Sequence, residues 1–384
     1  MNSQYDPWLS FSVIALTLFG TVMIYSTSAV FAELRFQNGF HFLTAHLLHL
    51  CVGIGFFVIG LRMNYRQWEK IVPVMMITAL ILLVLVLIPG IGHEVKGARR
   101  WIRIFGIGFQ PAEFLKVVLV FYVASYLGRK QDILNSFFRG ISPNFIVIGI
   151  YLILVLMQPD FGTVVLISLT VLSMMYIGGG KPIHIFGSLV GFSLVGTLLI
   201  ISQSYRLRRL SAFLDPWDDP LDSGFQIIQS FIALGTGGWF GKGLSMSLQK
   251  LFFLPDAHTD FIFAIVGEEL GFIRVVFLIF LFGVFIWRGY LISLHADNLF
   301  GRHIAFGVTT SISLQILLNL FVVTGLLPTK GLPLPFISSG GTSLIVTLFM
   351  AGLLLNIGQI SPAAARGASS PFSTKSQRDS GRNS

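Results

Sequence analysis

Residues 144–178 read NFIVIGIYLILVLMQPDFGTVVLISLTVLSMMYIG. Two apolar runs of bilayer length flank a single interruption, Gln158-Pro159-Asp160-Phe161, and neither run keeps the polar face that a helix on a soluble core needs. Runs of the same kind recur in both directions, approximately over 8–28, 43–61, 71–88, 111–128, 144–160, 162–178, 184–203, 261–287, 304–327 and 342–358. Across 384 residues the chain is 54% hydrophobic and only 11% charged, with a mean hydropathy of +0.80. Soluble domains carry about 25% charged residues. The pattern predicts an all-α polytopic membrane protein with about ten transmembrane helices; the boundary at 158–161 is where that number could fall to eight or nine.

The formal charge of +9 comes without any Lys/Arg block interleaved with exposed aromatics, which excludes nucleic acid as a partner. A single cysteine, Cys51, lies within an apolar run and excludes a disulfide framework or thiolate metal cluster. Met1 to Trp8 carries no Lys or Arg and includes Asp6, unlike the basic start of a cleaved signal peptide, so the first helix is expected to be retained. With both ends placed in the cytosol, Lys and Arg divide almost evenly between the two sides. Nine of the outer ones cluster in two segments, 89–110 and 203–259, and read as site residues.

Segment 203–259 is predicted to be one large extracytoplasmic loop with structure of its own. It opens on Arg206, Arg208 and Arg209, passes through the turn-rich Asp215-Pro216-Trp217-Asp218-Asp219-Pro220, and offers an amphipathic stretch, Phe225 to Leu234, that suits a short interfacial helix. The glycines of 235–243 are not a nucleotide loop. Thr236 stands where its first glycine belongs, and Gly243 follows Lys242 in place of Ser or Thr. Residues 1–360 are expected to form one membrane domain, and the Ser-, Arg- and Gly-rich 361–384 a disordered cytosolic tail.

Ionisable groups inside a bilayer cost at least about 2.5 to 3.5 kcal/mol each and need partners or a task. Glu113 and Lys116, three apart in the fourth span, share a helix face and can pair. The pair is either structural or also lines a polar cavity. Asp260 stands at the outer mouth of the eighth span, where an aspartate can simply cap the helix. Glu268 and Glu269 follow about 12 to 14 Å deeper along an unbroken helix and require polar neighbours. On the same assumption Arg274 returns to within about 40° of the Asp260 face, with its head snorkelling toward the cytosol. His258 has no His or Cys three or four residues away, so metal ligation by it is disfavoured.

The run Gly325-Leu-Leu-Pro328-Thr329-Lys330-Gly331-Leu-Pro333-Leu-Pro335-Phe336-Ile337-Ser338-Ser339-Gly340-Gly341 resembles the signature of the shape, elongation, division and sporulation (SEDS) family. Gly97-Ala98-Arg99-Arg100-Trp101, Gln110 to Lys116, Gln158 to Thr163 and His258 to Ala264 agree with it in order, over residues 6 to 360. Asp215-Pro216-Trp217, Pro255 to Asp260 and Pro328-Thr329-Lys330 are similar to the division-type branch more than to the elongation-type. The resemblance implies a ten-span bundle in the bacterial cytoplasmic (inner) membrane, at the division site, that polymerises lipid II into glycan strands at the outer face. It implies a cognate class B penicillin-binding protein, a transpeptidase, and division regulators as partners. It also matches Asp260 to an essential aspartate, Glu113 and Lys116 to a polar pair in a central cavity, and Arg100 to a basic position before Trp. Three positions depart from the pattern: Ser339 where Tyr is usual, Lys96 where Asn is common, and Arg274 where Gly follows Phe-Ile.

A polymerase outside the cytosol has no ATP and must use an activated donor, here a sugar on a polyprenyl diphosphate. The attacking hydroxyl must lose its proton, for which Asp260 is the candidate general base. The departing diphosphate can be stabilised by Arg100, Lys116 and Lys330, with His258 as a further candidate contact, or by a divalent cation such as magnesium or manganese. No second carboxylate is needed, because a diphosphate leaves without protonation. Two other readings stay open: a flippase for the lipid-linked precursor, whose polar residues should run through the full membrane depth, and a silent scaffold in which Asp260 only caps.

Overall fold

A proline or a polar side chain sets the start of most of the apolar helices. The computed structural model describes residues 5–360 apart from 96, 105–106, 131–133, 135, 223, 252–253 and 256. The tail expected over 361–384, and Lys96 and Asp256 of the motifs, lie outside the described residues. Asp6 Oδ1 accepts a 2.9 Å bond from Leu9 N at the start of α1 (Pro7–Phe36). Next come α2 (His41–Arg62) and α3 (Tyr65–Leu85), the latter capped by Asn64. Pro111 and Pro182 open α4 (Pro111–Arg129) and α7 (Pro182–Ile201), where a missing N–H costs nothing. Between them lie α5 (Ser142–Leu156) and α6 (Phe161–Ile177). Asp160 caps α6, accepting from Thr163 N and Thr163 Oγ1 at 3.2 and 2.9 Å, so Gln158 to Asp160 is a true break and the two runs are two helices.

The loop 203–259 holds α8 (Ser204–Leu214) and α9 (Phe225–Thr236). The second was expected; the first was hidden by its basic run. Spans α10 (Ile262–His295), α11 (Leu299–Val323) and α12 (Gly341–Ile360) complete the bundle. Among the described residues nine helices are long and apolar enough to cross a membrane. Helix α5 counts among them because the helical turn Phe137–Ile141 runs into it, giving 20 residues over Phe137–Leu156; the tenth expected span, α6, has 17 residues, about 25 Å at 1.5 Å each.

Residues 89–110, read from sequence only as a charge cluster, contain an antiparallel sheet in the order β1 (Gly92–Val95), β2 (Ala98–Ile104), β3 (Ile107–Phe109). Gly92 pairs with Ile102, which in turn pairs with Phe109. The core of the bundle is α4, α11 and α12, whereas α7 buries none of its side chains. Small residues bring α2 and α12 together: a Cβ on Gly60 would stand 2.7 Å from the Phe349 carbonyl, and one on Gly352 would overlap that of Phe57.

Helix α10 is interrupted at Gly271 (φ 76°, ψ 176°), a conformation closed to other residues. Residues 262–271 are wholly buried, and exposed apolar side chains begin at Phe272 and Ile273. The glycine-rich segment 237–243 lies across the break. Lys242 N and Gly243 N donate to the Glu268 and Glu269 carbonyls at 3.0 and 2.9 Å, and Phe272 N donates to Gly238 O at 2.9 Å. A Cβ on Gly241 would overlap the Glu269 carbonyl, which gives these glycines their reason. The unbroken helix assumed from sequence is therefore corrected for Arg274: Glu268 and Glu269 lie in the helical stretch that starts at Ile262, but Arg274 follows the break and does not continue the face of Asp260. Arg274 does not reach for the cytosol; its Nη1 donates to Phe240 O and Leu270 O at 2.6 and 3.0 Å, satisfying carbonyls the break exposes.

Helix α1 is tied to α10 at two levels. Arg288 Nε donates to Asp6 Oδ2 at 2.8 Å, and Ser26 Oγ donates to Glu269. Asp6 and Ser26 are about 30 Å apart along α1 at 1.5 Å per residue, close to the hydrocarbon thickness. The Glu269 cluster thus stands about one hydrocarbon thickness along α1 from the Asp6–Arg288 pair.

Candidate active site

The signature loop between α11 and α12 is held to the segment entering α10 by backbone-directed bonds. Ser338 Oγ donates to Thr259 O at 2.6 Å, Ser339 N to His258 O at 3.0 Å, and Asn319 Nδ2 to both Asp260 O and Leu332 O at 2.8 and 2.7 Å. Phe336 sits at φ 67°, a region non-glycine residues avoid, with its ring buried against Phe285 at 5.3 Å between centroids. These contacts bring the Asp260 carboxylate beside Gly331, where a Cβ would stand 3.0 Å from Oδ2. The capping position of α10 belongs to Phe261, one residue later, so capping does not account for Asp260.

Cations gather at the same turn. Lys330 Nζ lies over the Phe161 ring at 5.1 Å, and the Arg206 guanidinium lies over that ring at 5.7 Å. Arg209 Nη1 donates to Thr329 O at 3.3 Å. Thus α8 and the signature loop bring Arg209 and Lys330 to Thr329–Gly331, next to one carboxylate, and the Phe161 ring of α6 is shared by Lys330 and Arg206. Arg206 and Arg209 belong to the basic run noted in the sequence and, at i, i+3 on α8, share one face of it; Arg206 Nη1 also donates to Leu199 O at 2.7 Å. Burial pushes the Lys330 ammonium below the ordinary lysine range.

The other expected site residues flank this turn. Arg100, on β2, donates from Nε to Gln158 O at 2.9 Å and from Nη2 to Pro159 O, pinning the α5–α6 break. His258 packs its ring against Phe42 and Phe31, with centroids 4.9 and 6.0 Å apart. Among the described residues no group of three His, Cys, Asp or Glu could hold a metal.

Glu113 and Lys116 pair at 2.8 Å in the core, each 2–3% exposed. The ammonium also donates to Gln315 Oε1 at 2.6 Å, and Gln315 Nε2 donates to Pro333 O at 2.8 Å. The pair therefore supports the signature loop through Gln315. The cavity beside Lys116 measures about 10 Å³, one water's worth, and is walled mainly by Leu119, Val120, Ile167 and Met174. Sequence reading missed Gln315 and Asn319; two amides four residues apart in an otherwise apolar span are the signal that could have found them. We expect Lys116→Met to lower the melting temperature in detergent and impair polymerisation, and Lys116→Met with Glu113→Gln to recover the melting temperature, because the uncompensated buried charge is then gone. A wild-type melting temperature and rate for Lys116→Met would show that the pair does neither job.

The two carboxylates of α10 have structural partners. Glu268 accepts from Lys242 Nζ at 2.7 Å, from Ser247 Oγ, and from Leu248 N and Gln249 N at 3.2 and 3.3 Å. Glu269 accepts from Lys250 Nζ at 2.7 Å and from Ser26 Oγ, and Lys250 Nζ also donates to Ser26 O at 2.9 Å. Both carboxylates are fully buried. They clamp loop 242–250, which leads directly into the segment carrying Asp260.

Known proteins resemble the chain over nearly its whole length. Residues 7–361 match the FtsW/RodA/SpoVE family model, described as cell cycle protein. The chain belongs to the FtsW/RodA/SpoVE family. It is 44% identical over 354 residues to the probable peptidoglycan glycosyltransferase FtsW of Geobacter metallireducens, covering 92% of this chain and 94% of the relative. It is 41% identical to stage V sporulation protein E of Bacillus subtilis, covering 94% and 99%. Among solved structures it superposes with a TM-score of 0.76 and 28% identity on a chain from a study of how a peptidoglycan synthase complex coordinates polymerization and crosslinking, covering 93% and 98%. Against the rod shape determining protein RodA of Thermus thermophilus the TM-score is 0.69 at 26% identity, with the same coverage. The expected family and helical membrane fold hold, and the FtsW relatives bear out the division-type resemblance.

Proposed function

We propose that this chain is a peptidoglycan glycosyltransferase that polymerises lipid II into glycan strands at the outer face of the bacterial cytoplasmic membrane during septal wall synthesis. Asp260 is the general base, and Lys330, Arg206 and Arg209 stabilise the departing polyprenyl diphosphate. The observation that carries this reading is the convergence of the Asp260 carboxylate with Lys330 and Arg209 on Thr329–Gly331, with Arg206 on the Phe161 ring that Lys330 also covers. The carboxylate accepts the proton of the attacking hydroxyl, and the cations meet the negative charge that develops on the leaving group. A magnesium or manganese ion fits a site with one carboxylate and diphosphate oxygens, but no step depends on it. Arg100 acts on the α5–α6 break and Glu113–Lys116 on the signature loop, both as supports. A class B penicillin-binding protein is the transpeptidase partner, in keeping with the synthase complex of the structural relative, and division regulators complete the assembly.

The rival reading, translocation of lipid II, needs polar groups through the membrane depth. The Glu113–Lys116–Gln315 thread is such a feature, yet its cavity admits about one water. Purified protein with its transpeptidase, given lipid II directly in micelles, separates the two, since no second leaflet exists there. A glycan ladder is expected. Its absence, together with lipid II movement in vesicles, would move the assignment to transport.

A pH dependence follows from Lys330. Its charge is lost as pH rises through its lowered pKa, before an ordinary lysine would titrate, so the alkaline limb of polymerisation should fall in that window. Lys330→Arg keeps its charge and should shift the limb upward. Stability has the opposite sign: the unfolded chain binds this proton more tightly, so the Lys330 contribution to stability rises with pH across the same window. Superimposable alkaline limbs in the two proteins would remove Lys330 from the diphosphate site.

A further inference from the structure

The carboxylate and the leading cation of the site stand on different elements, Asp260 on the segment entering α10 and Lys330 on the signature loop. Three hydrogen bonds join their backbones through one side chain. Asn319 Nδ2, on α11, donates to Asp260 O at 2.8 Å and to Leu332 O at 2.7 Å, and Leu332 N donates back to Lys330 O at 3.0 Å. A single NH2 group thus spans the seam between base and cation.

The residue type suits that task. An amide nitrogen carries two hydrogens, whereas a hydroxyl offers one and an ionised carboxylate none. The other half of the amide is idle: among the described residues, Asn319 Oδ1 is buried with no hydrogen-bond partner, an arrangement that burial penalises. An apolar side chain of like size would fill the same space without that penalty. The neighbouring ties across the seam, Ser338 Oγ to Thr259 O and Ser339 N to His258 O, start from the signature loop and move with it, whereas Asn319 starts from a helix of the core. One turn earlier on the same face of α11, Gln315 Nε2 donates to Pro333 O at 2.8 Å. The consecutive loop carbonyls of residues 332 and 333 are thereby referred to α11, and residue 260 is referred to the same helix. Leu332 is seated on α6 as well, since a Cβ on Gly162 would stand 3.3 Å from its Cγ.

We propose that Asn319 is a positioning residue for polymerisation: its amide holds the Asp260 carboxylate in register with Lys330, so that the base meets the attacking hydroxyl while the cation meets the diphosphate. Asn319 acts through Asp260 and not on the substrate. The inference rests on the glycosyltransferase reading, with Asp260 as its base.

The test follows polymerisation of lipid II in micelles by the full-length protein with its transpeptidase, with melting temperatures read alongside. Asn319→Leu removes both donors at similar volume. Asn319→Ser keeps one hydroxyl, which can hold one carbonyl but cannot tie two together, and it carries the test by itself if the leucine variant does not fold. Each folded variant should lower kcat about 10²-fold, the scale of a misplaced catalytic group, with the KM for lipid II little changed. The deciding readout is a double-mutant cycle. Asn319→Ser combined with Asp260→Asn should be no slower than Asp260→Asn alone, because no base is left to misplace. A wild-type kcat in folded Asn319→Ser overturns the proposal, as do losses that multiply in the double variant or a loss confined to KM. These failures leave the polymerase reading standing when wild type makes a ladder and Asp260→Asn does not. An Asp260→Asn variant that keeps pace with wild type removes the base, and a wild type that makes no polymer removes the glycosyltransferase reading; either takes the positioning role with it.

Discussion

Lys250→Met is expected to prevent accumulation of folded protein. The substitution leaves the Glu269 carboxylate fully buried with its Ser26 Oγ bond but without its cation, and it releases the Ser26 carbonyl as well. Breaking one side of a buried ion pair typically costs about 3–5 kcal/mol, against total stabilities of about 5–15 kcal/mol. The loss also frees loop 242–250, and with it the approach to Asp260. Glu269→Gln in the same chain removes the stranded charge, keeps a group that Ser26 can bond, and should restore much of the melting temperature. Fluorescence-detected melting in detergent reads both. A Lys250→Met protein that melts with the wild type would show that the clamp contributes nothing.

The spans were legible because their signal is length and apolarity, and the ten runs read from sequence correspond to ten helices. Asp160 and Pro159 marked the α5–α6 break through ordinary cap and turn chemistry. The sheet in 89–110 was not legible, since its three short strands carry charge on an irregular register with a shift between His93 and Glu94. Gly271 was the costliest omission. A single glycine in a helical pattern reads as tolerated, yet here it interrupts α10, and segment 237–243 bonds to the backbone on both sides of the break.

In the site, Asp260, Lys330 and the Glu113–Lys116 pair were visible as charges in apolar surroundings. What each does depends on contacts far apart in sequence. Arg206 and Lys330 meet on Phe161, which no local pattern announces. Asn319 joins residues 260 and 332, so its role appears only once three elements are assembled. The resemblance marked Arg100 as a site residue, and its bonds go to the Gln158 and Pro159 carbonyls, just before Phe161.

Asp260→Asn tests the central claim most directly. The amide matches the carboxylate in shape beside Gly331, and the Asn319 bond goes to the backbone of residue 260, so the fold should be retained. Asn is also nearly as good as Asp near a helix start, so a merely structural residue would tolerate the change at a cost of about a few tenths of a kcal/mol. A general base would not, because the amide cannot accept the hydroxyl proton, and losing acid–base catalysis typically costs about 10² to 10⁴-fold. The measurement is the initial rate of glycan polymerisation from lipid II in micelles, with wild type and Asp260→Asn at equal transpeptidase content and matched melting temperature. The account predicts a ladder from wild type and a rate lower by about 10² to 10⁴-fold from the variant. Polymer formed by Asp260→Asn at the wild-type rate would contradict it.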